Sequence, residues 1–279
     1  MLNLNLDKAN LCASFIINQL KLHKPSGRPL FVGFNGVQGV GKTTLVSQLL
    51  EILTNVHHLK VVVLSIDDLY LTHADQVSLA SRFKENPLLQ HRGVPGTHDL
   101  ELAKTVVLES LLHGKATKIP IYDKALFNGQ GDRLPESQWQ TSEPNPDVIL
   151  LEGWCVGFQA ISDSDVVSLS SQTKYDAQVL LQMNEFLKDY KELFGKFDAM
   201  VHISALDPKN VYRWRQQQEL ELHRVKGKGM TPEQVNKFVD GYWPAYVLYT
   251  DGVGQGLKEG ALLKITVGDQ REILKSTII

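Results

Sequence analysis

Eight consecutive residues, Gly36-Val37-Gln38-Gly39-Val40-Gly41-Lys42-Thr43, have the types and spacing of a phosphate-binding loop, GxxxxGK[ST]. Glycines let the backbone turn tightly and aim successive N–H groups inward, which makes a concave anion site. A helix starting at the loop adds the positive end of its dipole. Lys42 supplies a mobile charge for the β- and γ-phosphates of ATP, and the Thr43 hydroxyl is a hard oxygen suited to Mg²⁺. Thr44 closes the nucleotide-binding stretch. A dinucleotide-binding turn is excluded: Gly39-Val40-Gly41 runs into Lys42-Thr43-Thr44 with no third glycine, and a lysine points at the phosphates.

Two acidic sites lie where an α/β sheet places chemistry, at the carboxyl ends of strands. Ser65-Ile66-Asp67-Asp68-Leu69-Tyr70 follows the apolar run 61–64, and Glu152 ends the apolar run 148–151. Phosphorylating an alcohol requires an acceptor for its proton, and Asp67 is the candidate general base. Asp68 shares that role, holds metal or caps the turn. Glu152 has the Walker-B position, where a carboxylate holds Mg²⁺, usually through water. Asp67 is a second candidate for the metal.

The elements that must position these groups are visible as hydrophobic periodicity. Leu11, Phe15, Ile16 and Leu20 mark a helix over residues 7–22, which Lys24-Pro25-Ser26-Gly27 breaks. An apolar run at 29–34 leads into the loop, and Leu45, Leu49, Leu50 and Leu53 line a helix over 43–54. Runs at 61–64, 148–151, 199–203 and 262–267 read as strands covered on both faces. Helices are expected at 100–112 and 176–194. Another opens at Asp207-Pro208, and the last opens on the capping box Thr231-Pro232-Glu233-Gln234. Strands alternating with helices predict a parallel sheet with helices on both faces. The stretch 124–146 is irregular, and a loop of that length is functional or mobile more often than not.

The net charge of -2, from 31 acidic and 29 basic residues, argues against a surface built for nucleic acid or an anionic membrane. With 43% hydrophobic and 22% charged residues the chain can bury a full core. Cys12 and Cys155 form no metal or disulfide framework, which fits a reducing compartment. The opening residues carry no basic, apolar leader pattern, and no apolar run approaches a membrane span. A cytoplasmic protein is expected, and a nuclear one is compatible.

Further segments extend the pattern: Arg92-Gly93-Val94-Pro95-Gly96-Thr97-His98-Asp99, Ile119-Pro120-Ile121-Tyr122-Asp123-Lys124, Gly129-Gln130-Gly131-Asp132-Arg133, Leu151-Glu152-Gly153-Trp154, Val211-Tyr212-Arg213-Trp214-Arg215-Gln216 and Trp243-Pro244-Ala245-Tyr246. With the loop and the segment 65–72, these resemble the D-glycerate 3-kinase family, which includes plant glycerate kinases and fungal ATP-dependent kinases. That family lies within the wider group of uridine kinase, phosphoribulokinase and pantothenate kinase. The resemblance implies a P-loop NTPase fold, α/β, with a five-stranded parallel sheet in the order 2-3-1-4-5 and a lid helix. It implies one domain over residues 1–279, with an N-terminal helical extension (1–28), an acceptor-binding insertion (86–146) and a lid (208–230). ATP and Mg²⁺ are the implied cosubstrate and metal, and D-glycerate the implied acceptor.

Asp67 takes the base position of that group and Glu152 the second acid of the metal site. Asp68, Tyr70, Arg92, His98, Asp99, Tyr122, Lys124 and Arg133 are the implied acceptor pocket. The chemistry agrees, since a small carboxylate calls for Arg or Lys and its hydroxyls for Asp and His. In the lid, Arg213, Arg215 and Arg224 are candidates for the transferring phosphate. At about 100° per residue Arg213 and Arg224 share a helix face and Arg215 lies opposite. Residues 225–229 read as a flexible lid edge. The partners expected are a small-molecule acceptor, with no nucleic acid and no membrane, and a monomer or small homo-oligomer. The alternatives are a kinase of another small alcohol (a nucleoside, a pantothenate-like molecule or a sugar phosphate) and a nucleotide-binding switch without kinase activity. Against a GTPase, Asn236-Lys237-Phe238-Val239-Asp240 has one residue too many for NKxD.

Overall fold

In the computed structural model, which describes residues 2–227 and 229–279, the apolar runs become strands of one sheet. Met1, and Lys228 from the expected lid edge, lie outside the described residues. The strands are β1 (Leu30–Gly36), β2 (Val61–Ser65), β3 (Val148–Gly153), β4 (Ala199–Ala205), β5 (Leu262–Val267) and β6 (Ile273–Ile278). They lie in the order 2-3-1-4-5-6. The first five are parallel, and β6 runs antiparallel to β5. Every residue of β1 is buried, as a central strand between β3 and β4 requires.

Two strand expectations change. β2 is the edge of the sheet, and Val61, Val62 and Val63 are only half-buried rather than covered on both faces. β6 was not anticipated, because Leu274, Lys275 and Ser276 are exposed and the segment lacks the apolar run of a buried strand. It pairs on one side only, where solvent can face its polar residues.

The helices are α1 (Leu2–His23), α2 (Lys42–Glu51), α3 (His73–Arg82), α4 (Leu100–Ala103), α5 (Asp163–Ser170), α6 (Ala177–Lys188), α7 (Lys191–Phe194), α8 (Asn210–Lys226) and α9 (Pro232–Tyr249). α1 buries Cys12, Phe15 and Ile16, and packs on α2 and β1. The expected helix over 100–112 is four α-helical residues followed by a π-helical turn, Lys104–Leu108. The expected helix over 176–194 breaks into α6 and α7. The break falls at Tyr190, whose fully buried side chain bonds across to the segment 96–98. α8 begins at Asn210, not at Pro208, because Asp207 Oδ1 accepts from the Lys209 N–H (2.9 Å) and closes a turn ahead of the helix.

The Thr231 capping box forms as read: Gln234 N–H donates to Thr231 Oγ1 (3.3 Å) and Thr231 N–H donates to Gln234 Oε1 (2.8 Å). Thr231→Ala is expected to cost about 1 kcal/mol of stability, measured by urea unfolding, and Thr231→Ser to recover most of it. Two small antiparallel ladders tie the long irregular stretch to the residues just before it. Lys118–Ile119 pairs with Gln140–Thr141, and Tyr122–Asp123 pairs with Asp132–Arg133. Among the described residues no helix is long and apolar enough to cross a membrane.

Candidate active site

The phosphate loop joins β1 to α2 at the carboxyl edge of the sheet. Gly39 has φ +78°, and a Cβ there would lie 2.7 Å from Trp214 Cβ, so α8 sits directly on the loop. Gly41, at φ +96°, is the N-cap of α2 and offers no side chain to the helix end. The first-turn N–H groups of α2, from Lys42 to Thr44, have no intrahelical acceptor and are available to an anion. Lys42 Nζ is folded back, donating to the carbonyls of Gly36 (2.6 Å) and Val37 (3.3 Å). The Gln38 N–H donates to the Tyr246 hydroxyl (3.2 Å). Tyr246 and Tyr242 of α9 pack edge-on against Trp154, two residues beyond Glu152. The aromatic cluster therefore ties α9, the loop and the end of β3 into one unit.

Arg271 was missed in the sequence. It lies between β5 and β6, with its guanidinium over the Trp214 ring (5.1 Å) and Nε donating to the Gly39 carbonyl (2.7 Å). Lys8, buried in α1, donates to the Arg271 carbonyl (2.6 Å). No short motif announces either residue, since Arg271 reaches the loop, and Lys8 reaches Arg271, across more than two hundred positions.

The acidic residues converge where the two strand ends meet. Glu152 lies beside Ser65 on β2 and Phe34 on β1. Asp67 follows in a tight turn whose Ser65 Oγ accepts the Asp67 N–H (3.3 Å). Asp67 Oδ2 accepts from Lys124 Nζ at 2.5 Å. Burial pushes the Asp67 carboxyl up, but the Lys124 charge and hydrogen bond outweigh it, and the net shift is downward. Burial pulls the Lys42 ammonium down, and the nearby Glu152 and Asp67 charges partly restore it. Asp68 Oδ1 accepts the Tyr122 N–H (3.0 Å), which anchors the hairpin carrying Lys124. Burial raises its carboxyl above the usual range. Cys155 is buried and its thiol is pushed up by burial, so it stays protonated.

The residues expected around the acceptor divide into groups. Tyr70 and His98 face each other across a single antiparallel bridge, with rings stacked at 4.5 Å, and Tyr122 meets Tyr70 edge-on at 5.4 Å. Burial holds the His98 ring down to about 4. Arg133 and Asp99 engage each other (2.8 Å) instead of standing free. Arg133 also donates to the Tyr70 carbonyl (2.9 Å), and Asp99 caps α4 by accepting the Leu102 N–H (3.0 Å). Arg92 lies over the Tyr122 ring (5.6 Å) and donates to the carbonyls of Gly129 (2.8 Å) and Gln130, bracing the glycine loop. Lys124 is thus the cation of this set that faces a catalytic candidate.

The arginines of α8 have three different settings. Arg213 reaches the loop before β6, donating to the Asp269 carbonyl (2.8 Å) and pairing with its carboxylate (3.4 Å). Arg215 pairs with Glu219 and lies over the Phe238 ring (5.0 Å). Arg224 is exposed and pairs with Glu221 (2.5 Å).

A magnesium ion suits the chemistry of the candidate ligands. Thr43, Asp67 and Glu152 offer hard oxygens only. Among the described residues no group of three His, Cys, Asp or Glu forms a metal cage. Mg²⁺ bound with a nucleotide needs none, because phosphates and water complete its shell.

No protein-family model matches the chain. It is 43% identical to the uncharacterized kinase mug58 of Schizosaccharomyces pombe over 82% of this chain and 84% of that protein. It is 37% identical to the chloroplastic D-glycerate 3-kinase of Arabidopsis thaliana over 87% of this chain and 53% of that protein, so it spans about half the length of the plant enzyme. Among solved structures, D-glycerate 3-kinase from Cryptococcus neoformans superposes with a TM-score of 0.92 at 33% identity, covering 97% of this chain and 99% of that one. A glycine-rich loop under α8, two carboxylates at strand ends and this degree of likeness lead to one conclusion: the chain belongs to the D-glycerate 3-kinase family of ATP-dependent P-loop kinases.

Proposed function

We propose that this kinase transfers the γ-phosphoryl group of ATP to a hydroxyl of D-glycerate. The observation that carries the acceptor assignment is the contact between Lys124 and Asp67 (2.5 Å), which puts a cation for a small acid beside a base for its hydroxyl. The names of the plant and Cryptococcus relatives support the same acceptor.

ATP binds with its phosphates on the N–H groups of residues 39–44, and Lys42 turns from the loop carbonyls to the β- and γ-oxygens. Thr43, Glu152 and Asp67 would hold Mg²⁺, which when bound screens the charge on the phosphates. Asp67 takes the hydroxyl proton as the new O–P bond forms and the bridging bond to ADP breaks. Lys124 passes from Asp67 to the carboxylate of the acid. Residues 86–146 form the acceptor side, and 208–230 the lid. Arg213 is the arginine of α8 that serves the nucleotide, a reading supported by its bonds to Asp269, two residues before Arg271.

An ADP-release screen with D-glycerate, uridine, pantothenate and ribulose 5-phosphate tests this reading. Turnover with D-glycerate is expected to exceed each of the others by about 10²-fold, since a site built to hydrogen-bond its substrate rejects molecules that leave its polar groups unpaired. Background hydrolysis alone with D-glycerate would overturn the acceptor assignment.

A further inference from the structure

We propose that Tyr190 is a positioning residue that fixes His98 as its Nε2–H tautomer, a neutral hydrogen-bond donor for an oxygen of the acceptor substrate beside Asp67. The role of that donor rests on the kinase reading above, whereas the tautomer does not.

The tautomer follows from counting donors and acceptors. A tyrosine hydroxyl has one proton to give and two lone pairs to receive. The Tyr190 side chain is fully buried, at the break between α6 and α7. Its oxygen accepts the Gly96 N–H (3.1 Å). Its remaining close contact is His98 Nδ1, at 2.6 Å. If Nδ1 carried a proton, the Tyr190 O–H would have no acceptor, and a buried unmade hydrogen bond costs about 1–3 kcal/mol. The Tyr190 O–H therefore donates to Nδ1. Burial keeps the ring neutral, so its one proton is on Nε2.

That leaves a donor with nothing to bond. His98 Nε2 is buried and has no hydrogen-bond partner among the described residues. Its ring lies flat on Tyr70, three residues from Asp67, and the Asp67 charge acts on it. A ligand oxygen arriving at Asp67 supplies the missing acceptor. A neutral donor suits this position: it orients an oxygen without adding a second cation that would hold down the basicity of Asp67, as Lys124 already does. Tyr190 lies 92 residues from His98, and it reaches the ring because the helix breaks there.

The full-length protein labelled with ¹⁵N-histidine, without ligands at neutral pH, gives the first test by long-range ¹H–¹⁵N correlation. The wild type is expected to show His98 protonated on Nε2, and Tyr190→Phe to show a mixture or the other tautomer. A wild-type His98 protonated on Nδ1 overturns the proposal. Kinetics give the second test. Tyr190→Phe is expected to raise the acceptor KM about tenfold with the ATP KM unchanged, the size of one lost hydrogen bond. His98→Gln puts an amide N–H at the place of Nε2 without needing Tyr190, so adding Tyr190→Phe to it should cost less than about twofold. Full additivity of the two substitutions, or equal rises in both KM values, overturns the positioning role. Should Tyr190→Phe not fold, the wild-type spectrum still decides the tautomer. Should D-glycerate fail as acceptor, the spectrum is unaffected, so the two failures are distinguishable.

Discussion

Asp67→Asn is expected to lower kcat by about 10²–10⁴-fold and to leave ATP binding intact, because a positioned general base contributes on that scale. Asn has the shape of Asp but cannot take a proton from the acceptor hydroxyl. The competing view is that Asp67 matters only as the partner of Lys124. That ion pair is partly open to water, with side chains 29% and 55% exposed for Asp67 and Lys124. Pairs of this kind contribute about 0–1 kcal/mol, so losing one cannot account for a large fall in turnover in a folded protein. Asn keeps a hard oxygen for Mg²⁺, and removing a negative charge near Lys42 favours the nucleotide phosphates. Steady-state kinetics combined with equilibrium titration of ATP separates the two effects. An unchanged kcat would remove Asp67 as the base.

The phosphate loop was legible because its chemistry is local: the anion site needs contiguous N–H groups, so the residues that make it are neighbours in sequence. Asp67 and Glu152 were legible for a related reason. Each ends an apolar run, and the parallel sheet brings the ends of such runs to one edge. Partner choice among charged side chains had no such signal. Nothing in the sequence tells that Arg133 and Asp99, both read as facing a small acid, lie 2.8 Å apart as partners of each other. Arg271 and Lys8 reach the loop only through the packing of α1 and the turn before β6. Helix continuity failed at Tyr190 for the same reason: its propensity is local, but the hydrogen bonds to 96 and 98 that hold it inward are not. β6 was hidden because an edge strand with a solvated face lacks the continuous apolar run that reveals a central one.

Lys42→Ala is expected to reduce kcat/KM for ATP by about 10²–10³-fold or more, with the fold retained. Removing one group aimed at developing charge typically has this effect, and here that group is also the cation of the phosphate site. In the free protein Lys42 bonds the carbonyls of Gly36 and Val37, so the variant also loses two hydrogen bonds. Gly36 and Val37 are buried, so leaving their carbonyls without the ammonium should cost about 1–3 kcal/mol of stability. The larger loss is electrostatic. Lys42 stands in the field of Glu152 and Asp67, and without it the phosphates of ATP approach two carboxylates with one fewer positive charge between them. Lys42→Arg should not restore activity, because a planar guanidinium cannot take the place of a compact ammonium against two carbonyls of a tight turn. Urea unfolding, ATP titration and kcat/KM measured on the same preparations separate the structural cost from the electrostatic one. Wild-type kcat/KM in Lys42→Ala would mean that the N–H groups of the loop bind and polarise the phosphates unaided.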